Sequence, residues 1–371
     1  MSLVVGTGKH GLRVGTPDVK SVGSLAFGPD GVLFVADNAA AKIFAIDLRD
    51  SGTAASKPVN VDKLDTRLAA FLGCSREDVF IRDMAVHPTS ENVYLSVMRG
   101  SGATAVPVLV KLTADGKLAE VALQNVPFSQ TSIEDAPAED DARLEVRLVQ
   151  GKREGEEMQM RSGGTIRIAR DKLRTVTVTD MAYVDGVLLV AGASNEEFSS
   201  TLRRIPFPFG AKALTNSLEI FHVSHGKYET ASPIRTFIPY AANTSILASY
   251  TCTPVVQFSI KDAKSKTHLK GKTVAELGAG NTPLDMVSFK QKGQEFLLVS
   301  NARHPLMKLA CKDLDRQQAL TQPKEPEGAP RQTLPQKGVG RMANLNGSYI
   351  LMMQLDHAGN VDLRSYNTAA L

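Results

Sequence analysis

The chain has 371 residues, of which 43% are apolar and 22% are charged, so it holds ample apolar material for a globular core. Its 43 basic and 39 acidic residues leave a formal net charge of only +4. Because no basic block interleaves with aromatic residues and tryptophan is absent, the composition excludes a nucleic-acid footprint. No apolar run approaches the roughly 18 residues of a membrane-spanning helix, and no signal peptide is visible.

Residues 22–48 predict three short strands in succession. Residues 24–27 are apolar, the Gly-Pro-Asp-Gly sequence at 28–31 predicts a turn, and residues 32–36 run back. A second break at 37–40 precedes a third apolar run at 41–46. Turn chemistry between short β-rich runs is typical of a meander.

The pattern of this meander recurs five times at intervals of about 50–60 residues, with one longer interval of about 97. In each unit an opening strand is followed by a turn, a continuously apolar second run and a third run. The six units begin with SLAF at Ser24, DMAV at Asp83, DMAY at Asp180, RTFI at Arg235, DMVS at Asp285 and RMAN at Arg341.

Repeated meanders of this length predict a single all-β domain over residues 1–371, a six-bladed β-propeller. Both faces of a blade are buried, which accounts for the continuously apolar second runs. The last unit ends after three strands, and an open propeller would leave an exposed edge. We therefore expect residues 3–5 or 12–14 to supply the fourth strand of the last blade.

The stretch LAFGPDGVLFVADNAAAKIFAI at residues 25–46 resembles an NHL-type repeat, of the kind also present in SMP-30/gluconolactonase-like six-bladed propellers. The close match covers one repeat, and the other five are degenerate. The resemblance implies the propeller fold. Members of that superfamily include metal-dependent lactonases and phosphotriesterases, lyases and binding scaffolds, and many are extracytoplasmic. It therefore favours a periplasmic or secreted location and leaves open whether the chain is an enzyme.

The long interval predicts an excursion at about residues 124–170. Residues 124–142 are rich in acidic residues and proline, which predicts flexible flanks. Alternation in RLEVRLV and TIRIAR predicts a hairpin with one polar face. A seventh, degenerate blade is the alternative. A shorter insertion at about 63–78 has helical apolar spacing and predicts a helix ended by Gly73.

The starts of the first strands should surround one mouth of the channel, where propeller function gathers. Buried charges there must pair, bind ions or stay hydrated. One interpretation is a structural ion-pair network, and the other is a site for a cation or an anionic substrate. The charged ring positions are Asp83, Asp180, Arg235, Asp285 and Arg341.

In lactonase-like propellers a calcium or zinc ion is held by Glu, Asn and Asp from the mouth. The resemblance therefore implies a divalent metal, Ca²⁺ or Zn²⁺, with oxygen ligands that suit calcium. The candidate ligands are Asp285, Asn301, Asn195, Glu196, Asp83 and Asp180.

His304 and His225 are candidate general bases, and Arg235 and Arg341 are candidates for contact with an anionic substrate. Cys252 is a candidate nucleophile if a neighbour lowers its pKa, and a buried inert thiol is the alternative. His222 and His225 are spaced three apart, but a strand would point them to opposite faces. The HxxH pattern is therefore weak as a metal motif.

Two functions follow. In the first, the chain acts on or binds a small polar or anionic molecule at the channel mouth, by metal-assisted hydrolysis or lyase chemistry. In the second, it is a non-catalytic scaffold that holds a protein or glycan partner through the mouth or through the excursion at 124–170.

Overall fold

The computed structural model describes residues 8–159, 163–264, 267–323 and 327–371. Within them the strands form seven sheets of three to six strands. Six sheets begin near the six sequence anchors and are named the first to the sixth sheet in chain order. The seventh, which lies between the second and the third sheet along the chain, is named the lid sheet. None of the described helices is long and apolar enough to cross a membrane.

The first two sheets carry the opening meander and the unit that follows it. The strands of the first sheet, in spatial order, are Arg13–Gly15, Val126–Ser132, Lys42–Asp47, Val32–Asp37 and Leu25–Phe27. The strands of the second sheet are Val79–Val86, Val93–Arg99, Val106–Leu112 and Leu118–Glu120.

The third and fourth sheets follow the lid sheet along the chain. The strands of the third sheet are Asp180–Val184, Val187–Ala193, Ser200–Pro206, Leu214–His222 and Lys227–Glu229, and His268–Lys270 also pairs with Leu214–His222. The strands of the fourth sheet are Thr236–Tyr240, Ser245–Ser249, Pro254–Ser259, Lys272–Glu276 and Glu327–Gly328.

The last two sheets complete the set. The strands of the fifth sheet are Pro283–Gln291, Gln294–Asn301, Met307–Ala310 and Arg331–Thr333. The strands of the sixth sheet are Val339–Asn344, Tyr349–Leu355 and Val361–Asn367.

Helix α1 spans Leu64–Leu72 and ends at Gly73, whose φ of 64° suits a residue without a side chain. Helix α2 spans Cys311–Arg316. The short 3₁₀ turns are Lys9–Gly11, Pro29–Gly31, Arg76–Asp78, Gly102–Thr104, Leu173–Val176, Val223–His225, Asp262–Lys264 and Thr368–Ala370.

The second strand of each of the six sheets is buried between its neighbours. All six residues of Val32–Asp37 and all five of Ser245–Ser249 are buried. Burial on both faces explains why these runs are apolar without alternation. The core accordingly consists of apolar layers between adjacent sheets, because that is where both faces of each sheet find a partner.

The first strands of the six sheets contact one another in a closed cycle, which is the propeller-type arrangement. The order around this cycle is second, first, third, fourth, fifth and sixth sheet, with the sixth against the second. The first two units are therefore exchanged relative to chain order. The chain passes outward to the second sheet and then returns to the first before it continues.

That return corrects the prediction of a flexible acidic flank after residue 123. Val126–Ser132 is a strand of the first sheet and pairs with Lys42–Asp47 on one side and Arg13–Gly15 on the other. Its residues are only half-buried or exposed, so its sequence lacks the apolar run of an inner strand. Phe128 packs against Phe44 with ring centroids 6.3 Å apart.

The predicted closure of the last blade by the N-terminal stretch is wrong for residues 12–14. Arg13–Gly15 pairs with Val126–Ser132 in the first sheet, and residues 3–5 lie outside the described residues. The open edge of the sixth sheet is instead paired near Val61, which exchanges two backbone hydrogen bonds of 2.9 Å with Leu363. Ser365 Oγ accepts from the Val59 N–H at 2.7 Å and donates to the Val59 carbonyl at 2.8 Å. A connecting segment between the first two sheets therefore protects this edge.

The lid sheet consists of Leu144–Leu148, Thr165–Lys172 and Glu156–Gln159, in that spatial order. Its turn requires glycine at 155, where φ is 73° and a Cβ would lie 2.3 Å from the Ile168 carbonyl oxygen. The sheet reaches the fifth and sixth sheets through Gln150, whose Nε2 donates to the Asn301 and Val339 carbonyls at 2.8 and 3.1 Å. It is a separate sheet, not a member of the cycle of first strands.

Candidate functional site

Three aspartates on first strands join neighbouring sheets in pairs. Asp83 of the second sheet accepts the Leu25 N–H of the first sheet at 2.7 Å. Asp180 of the third sheet accepts the Phe237 N–H of the fourth at 2.8 Å. Asp285 of the fifth sheet accepts the Met342 N–H of the sixth at 2.7 Å. Each carboxylate thus supplies a hydrogen-bond acceptor to a backbone N–H of the neighbouring first strand, at the axis of the cycle.

Of the three axial aspartates, Asp83 is buried and Asp180 and Asp285 are partly buried, and their charges act on one another. Burial, followed by the charge of Asp83, raises the pKa of Asp180 to about 7. Burial raises the pKa of Asp285 to about 8, although Arg341 opposes this and the other two aspartates add to it. Burial also raises the pKa of Asp83, against the nearby Arg341 guanidinium. Arg341 Nε lies 4.0 Å from Asp83 Oδ1, so this one cation acts on two of the three carboxyl groups, Asp83 and Asp285.

Arg235 lies between this axial group and the lid sheet. Burial and the Arg147 charge lower the pKa of its guanidinium to about 10, while Glu145 and Asp171 oppose that shift. Among the described residues its Nε and Nη1 atoms have no hydrogen-bond partner. Burial likewise raises the pKa of Glu145 to about 7. The mouth therefore contains opposed charges that water or a small polar molecule would solvate.

The lid sheet covers the mouth and is held there by ion pairs. Glu154 forms an ion pair with Arg82, the residue before Asp83 on the second sheet. It forms a second ion pair, at 2.9 Å, with Arg147 of the lid. Arg147 also contacts Asp171 at 2.6 Å. These four side chains line a cavity of about 500 Å³. The excursion at 124–170 therefore includes a sheet that packs against the charged residues of the second sheet.

The lid is also tied to the rim beside the third and fifth sheets. The Leu148 N–H donates to Thr282 Oγ1 at 2.9 Å, just before the first strand of the fifth sheet. Arg143 donates to the Asn195 and Glu196 carbonyls at 3.1 and 2.9 Å. The side chains of Asn195 and Glu196 are exposed in this rim turn.

The predicted metal ligands are not gathered at one point. The amide of Asn301 is already used, since its Nδ2 donates to the Val299 and Pro305 carbonyls and its Oδ1 accepts from Asn281 at 2.8 Å. Asn195 and Glu196 lie on the rim, away from the axial hydrogen bonds. In the described parts of the chain, the axial aspartates do not form a group whose ligand atoms lie within 4.8 Å of one another. The residues present therefore do not fit the mouth calcium or zinc that the resemblance implies.

His304 lies in the turn after the second strand of the fifth sheet, not in the axial group. Its backbone N–H donates weakly to Asn281 Oδ1 at 3.4 Å. Its Nε2 is buried against Gly278 and lacks a hydrogen-bond partner within the residues described. Within the described residues no ion pair joins His304 to another titratable side chain, and its role as a general base stays a prediction.

A second constellation joins His222, His225 and Cys252 between the third and fourth sheets. One ring nitrogen of each histidine and the Cys252 Sγ lie within 4.8 Å of one another. Glu229 contacts both rings, with Oε2 2.6 Å from His222 Nδ1 and Oε1 2.8 Å from His225 Nδ1. Burial opposes ionisation of Glu229, but the two imidazole hydrogen bonds lower its pKa to about 2.

The prediction that His222 and His225 point to opposite faces depended on a continuous strand through both residues. The strand ends at His222, and Val223–His225 forms a 3₁₀ turn that closes at Gly226 with a φ of 65°. The turn brings the two rings to a centroid distance of 4.0 Å. Gly226 directly after HVSH was the available signal for this turn, and Glu229, four residues after His225, is the carboxylate that contacts both rings.

The closed cycle of first strands is of the β-propeller type, and comparisons with known proteins add only distant likenesses in architecture. No protein-family model matches the chain, and no curated protein sequence matches it. Solved structures resemble it in architecture at low identity. The PQQ-bound aldose sugar dehydrogenase from Streptomyces coelicolor is 13% identical with a TM-score of 0.38, over 95% of this chain and 96% of that one.

Two further structures resemble the chain to a similar degree. The RRP9 WD40 repeats are 9% identical with a TM-score of 0.37, over 95% of this chain and 96% of that one. The native Bacillus subtilis arabinanase Arb43A is 12% identical with a TM-score of 0.37, over 77% of this chain and 93% of that one. None of the three is an NHL or SMP-30 protein. Such likeness concerns architecture alone, and function has to be argued from the residues.

Proposed function

We propose that the chain is a non-catalytic, six-bladed propeller whose lid sheet closes the channel mouth and presents its outer face to a protein partner. The observation that carries this proposal is the use of the axial carboxylates. Each of the three accepts a backbone N–H from the neighbouring first strand. Such carboxylates support the fold, and the lid stands between them and any substrate. We also propose an NHL-type repeat and an extracytoplasmic location, and both depend on the resemblance of residues 25–46.

The partner surface is the side of the lid that faces away from the axis. Glu145 and Arg147 point towards the mouth, where they meet Ser232 and Glu154. Because side chains alternate along a strand, Leu144 and Val146 lie on the opposite face, which is covered only at its other end, where Leu148 packs in a small core cluster. Leu144, Val146 and Met158 are 53%, 45% and 41% exposed. Three large apolar side chains exposed on one small sheet favour an interaction surface.

The charge around these residues indicates the kind of partner. Register pairs Val146 with Arg170 and Leu144 with Lys172 on the same face. The basic side chains adjoin the apolar ones, so the surface suits a protein that offers apolar side chains beside carboxylates. Rim charges of this kind chiefly influence the rate of association and its salt dependence.

The test uses the full-length chain as bait in cells of its source, with in-cell crosslinking and quantitative recovery of bound proteins. Leu144→Asp/Val146→Asp should lose a specific partner, because two charges are placed at the centre of the apolar surface. Val14→Asp is the matched control, since Val14 is 59% exposed on an edge strand of the first sheet. It should retain that partner.

A partner retained equally by both variants would contradict the lid surface. The non-catalytic part of the proposal is tested separately with purified protein and a panel of lactones, phosphotriesters and glycosides. Turnover that disappears in a folded Arg235→Gln variant would overturn it and restore an enzyme acting at the mouth.

A further inference from the structure

We infer that His222, His225 and Cys252 bind a divalent zinc-class cation, with Glu229 orienting both histidines from behind. This site is separate from the axial aspartates and from the lid. It lies where the outer strands of the third sheet meet the turn that opens the third strand of the fourth sheet. It involves neither the predicted mouth ligands nor the apolar face of the lid.

The fold fixes each ligand on a short, constrained segment. His222 ends the strand Leu214–His222, which pairs with Lys227–Glu229 and so places Glu229 opposite the histidine turn. Cys252 lies in the tight turn after Ser245–Ser249, where its N–H donates to the Asn281 carbonyl at 2.7 Å. Cys252 has a φ of 65° and Thr253 a φ of 59°, both in the left-handed region.

Glu229 determines which ring nitrogens are available. A carboxylate only accepts hydrogen bonds, so the Nδ1 atoms at 2.6 and 2.8 Å must both carry hydrogen. In each neutral imidazole this leaves Nε2 with a lone pair and no hydrogen. A carboxylate behind a histidine is the usual support for a metal ligand, because it fixes the tautomer and raises the basicity of the other nitrogen.

His222 supplies the independent indication of a ligand. Its residue is only 3% exposed, and its Nε2 has no hydrogen-bond partner among the residues that the structure describes. A buried acceptor without a partner is costly. The His225 imidazole lies close to it in a tilted arrangement and offers another lone pair, and the Cys252 sulfur adds a third donor atom. A cation would coordinate both imidazole nitrogens and the sulfur together.

The donor set selects the class of cation. Two imidazole nitrogens and one thiolate suit zinc and its neighbours and do not suit calcium, which prefers oxygen. Ideal bond lengths imply donor separations of about 3.5 Å, which is compatible with donor atoms that all lie within 4.8 Å of one another. The half-exposed His225 on its surface turn is the ligand most able to move. Three protein ligands leave one tetrahedral position for water or another molecule.

A thiol–imidazole–carboxylate nucleophile is the competing interpretation of the same residues. Cys252, His222 and Glu229 follow that order. However, a nucleophile needs one histidine, and here Glu229 orients two in the same way towards the sulfur. The duplicated orientation favours a shared cation, and the nucleophile becomes an outcome of the test.

The test titrates Co²⁺ into chelator-treated, full-length protein and follows the thiolate-to-cobalt charge-transfer band. One equivalent should bind, and Zn²⁺ should displace it. Cys252→Ser should abolish the band, whereas the matched Cys74→Ser should keep it, because Cys74 lies outside the group. Glu229→Gln should keep the band but weaken cobalt binding by about 10–100-fold. His225→Ala, at a half-exposed position, provides a second ligand variant that should fold.

Circular dichroism and thermal unfolding establish that each variant is folded. An equal band in Cys252→Ser, or no stoichiometric band in the unmodified protein, would overturn the metal site. Rapid alkylation of Cys252 that depends on His222 and is unaffected by added Zn²⁺ would assign the group to nucleophilic chemistry instead. Lid variants such as Val146→Asp should leave cobalt binding unchanged, so this inference and the proposed function can fail independently.

Discussion

At the scale of single residues, the axial aspartates serve the fold at an electrostatic cost. Asp285 Oδ1 accepts a hydrogen bond from the Met286 N–H, and Asp285 Oδ2 accepts one from the Met342 N–H, both at 2.7 Å. These bonds favour the ionised form, but burial and the neighbouring carboxyl groups favour the neutral one, and the net effect raises the pKa to about 8. Stability should therefore depend on pH.

We expect the free energy of unfolding to fall between pH 5.5 and 8.5. A carboxyl group whose pKa is higher in the folded protein binds its proton more tightly there, so its stabilising contribution is complete below about pH 4 and is lost as pH rises through the folded value. Asp285→Asn should reduce the slope by up to about 1.4 kcal/mol per pH unit. Urea denaturation at a series of pH values measures it.

Asp115→Asn is the control, because Asp115 is in an exposed turn and its pKa is lowered to about 2, outside this window. Its slope should equal that of the unmodified protein. A free energy of unfolding that rises across the window, or a slope unchanged in Asp285→Asn, would show that the axial carboxyl groups are ionised throughout.

At the scale of elements, the ion pairs made by the lid differ in burial. Arg153 pairs with Asp65, a fully buried residue of helix α1 that also accepts the Val361 N–H at 3.1 Å. Arg170 pairs with Glu156 on the exposed side of the lid. Loss of a cation from a buried pair leaves a desolvated charge, whereas loss from an exposed pair leaves a hydrated one.

Arg153→Met should lower the free energy of unfolding by about 3 kcal/mol, because Asp65 would remain buried without its cation. Arg170→Met introduces the same side chain in the same insertion and should cost less than about 1 kcal/mol. Chemical denaturation of the two variants side by side makes the comparison. Equal losses would mean that the Arg153–Asp65 contact does not fasten the lid.

The connecting segment that pairs with the sixth sheet provides a second test of an element. Ser365→Ala removes the hydroxyl that bonds both backbone groups of Val59, and we expect a loss of about 1–2 kcal/mol. Ser348→Ala, at an exposed turn of the same sheet, should change stability by less than about 0.5 kcal/mol. Equal effects in thermal unfolding would show that this pairing does not stabilise the sheet edge.

At the scale of the whole molecule, the cycle of first strands and the lid are distinct structures. The cycle closes without the lid, through contacts between neighbouring first strands and the segment that pairs near Val61. The two ends of the lid are adjacent, since Leu144 pairs with Lys172 and the Leu173 N–H donates to the Arg143 carbonyl at 3.0 Å. The insertion can therefore be removed without separating its flanks.

Direct joining of residue 143 to residue 173 should give a protein that still unfolds in one cooperative transition, with lower stability. The apolar layers between the six sheets are retained, but Arg82 and Arg235 lose their lid partners and become hydrated. Differential scanning calorimetry and small-angle scattering measure the transition and the compactness. An unfolded product would show that the lid is needed to close the propeller.

The sequence by itself determined the β-rich meanders, the six anchors and the helix before Gly73, because turn chemistry and apolar periodicity are local properties. It also marked Asp83, Asp180 and Asp285 as equivalent positions. Only the tertiary structure decided that the first two units exchange places, that Val126–Ser132 returns to the first sheet, and that Val61 pairs with the last. These pairings join residues far apart in the chain, and a half-exposed edge strand has no distinctive pattern. The same reason applies to the group of His222, His225, Glu229 and Cys252. A 3₁₀ turn and a neighbouring sheet bring these residues together, and strand periodicity predicts neither.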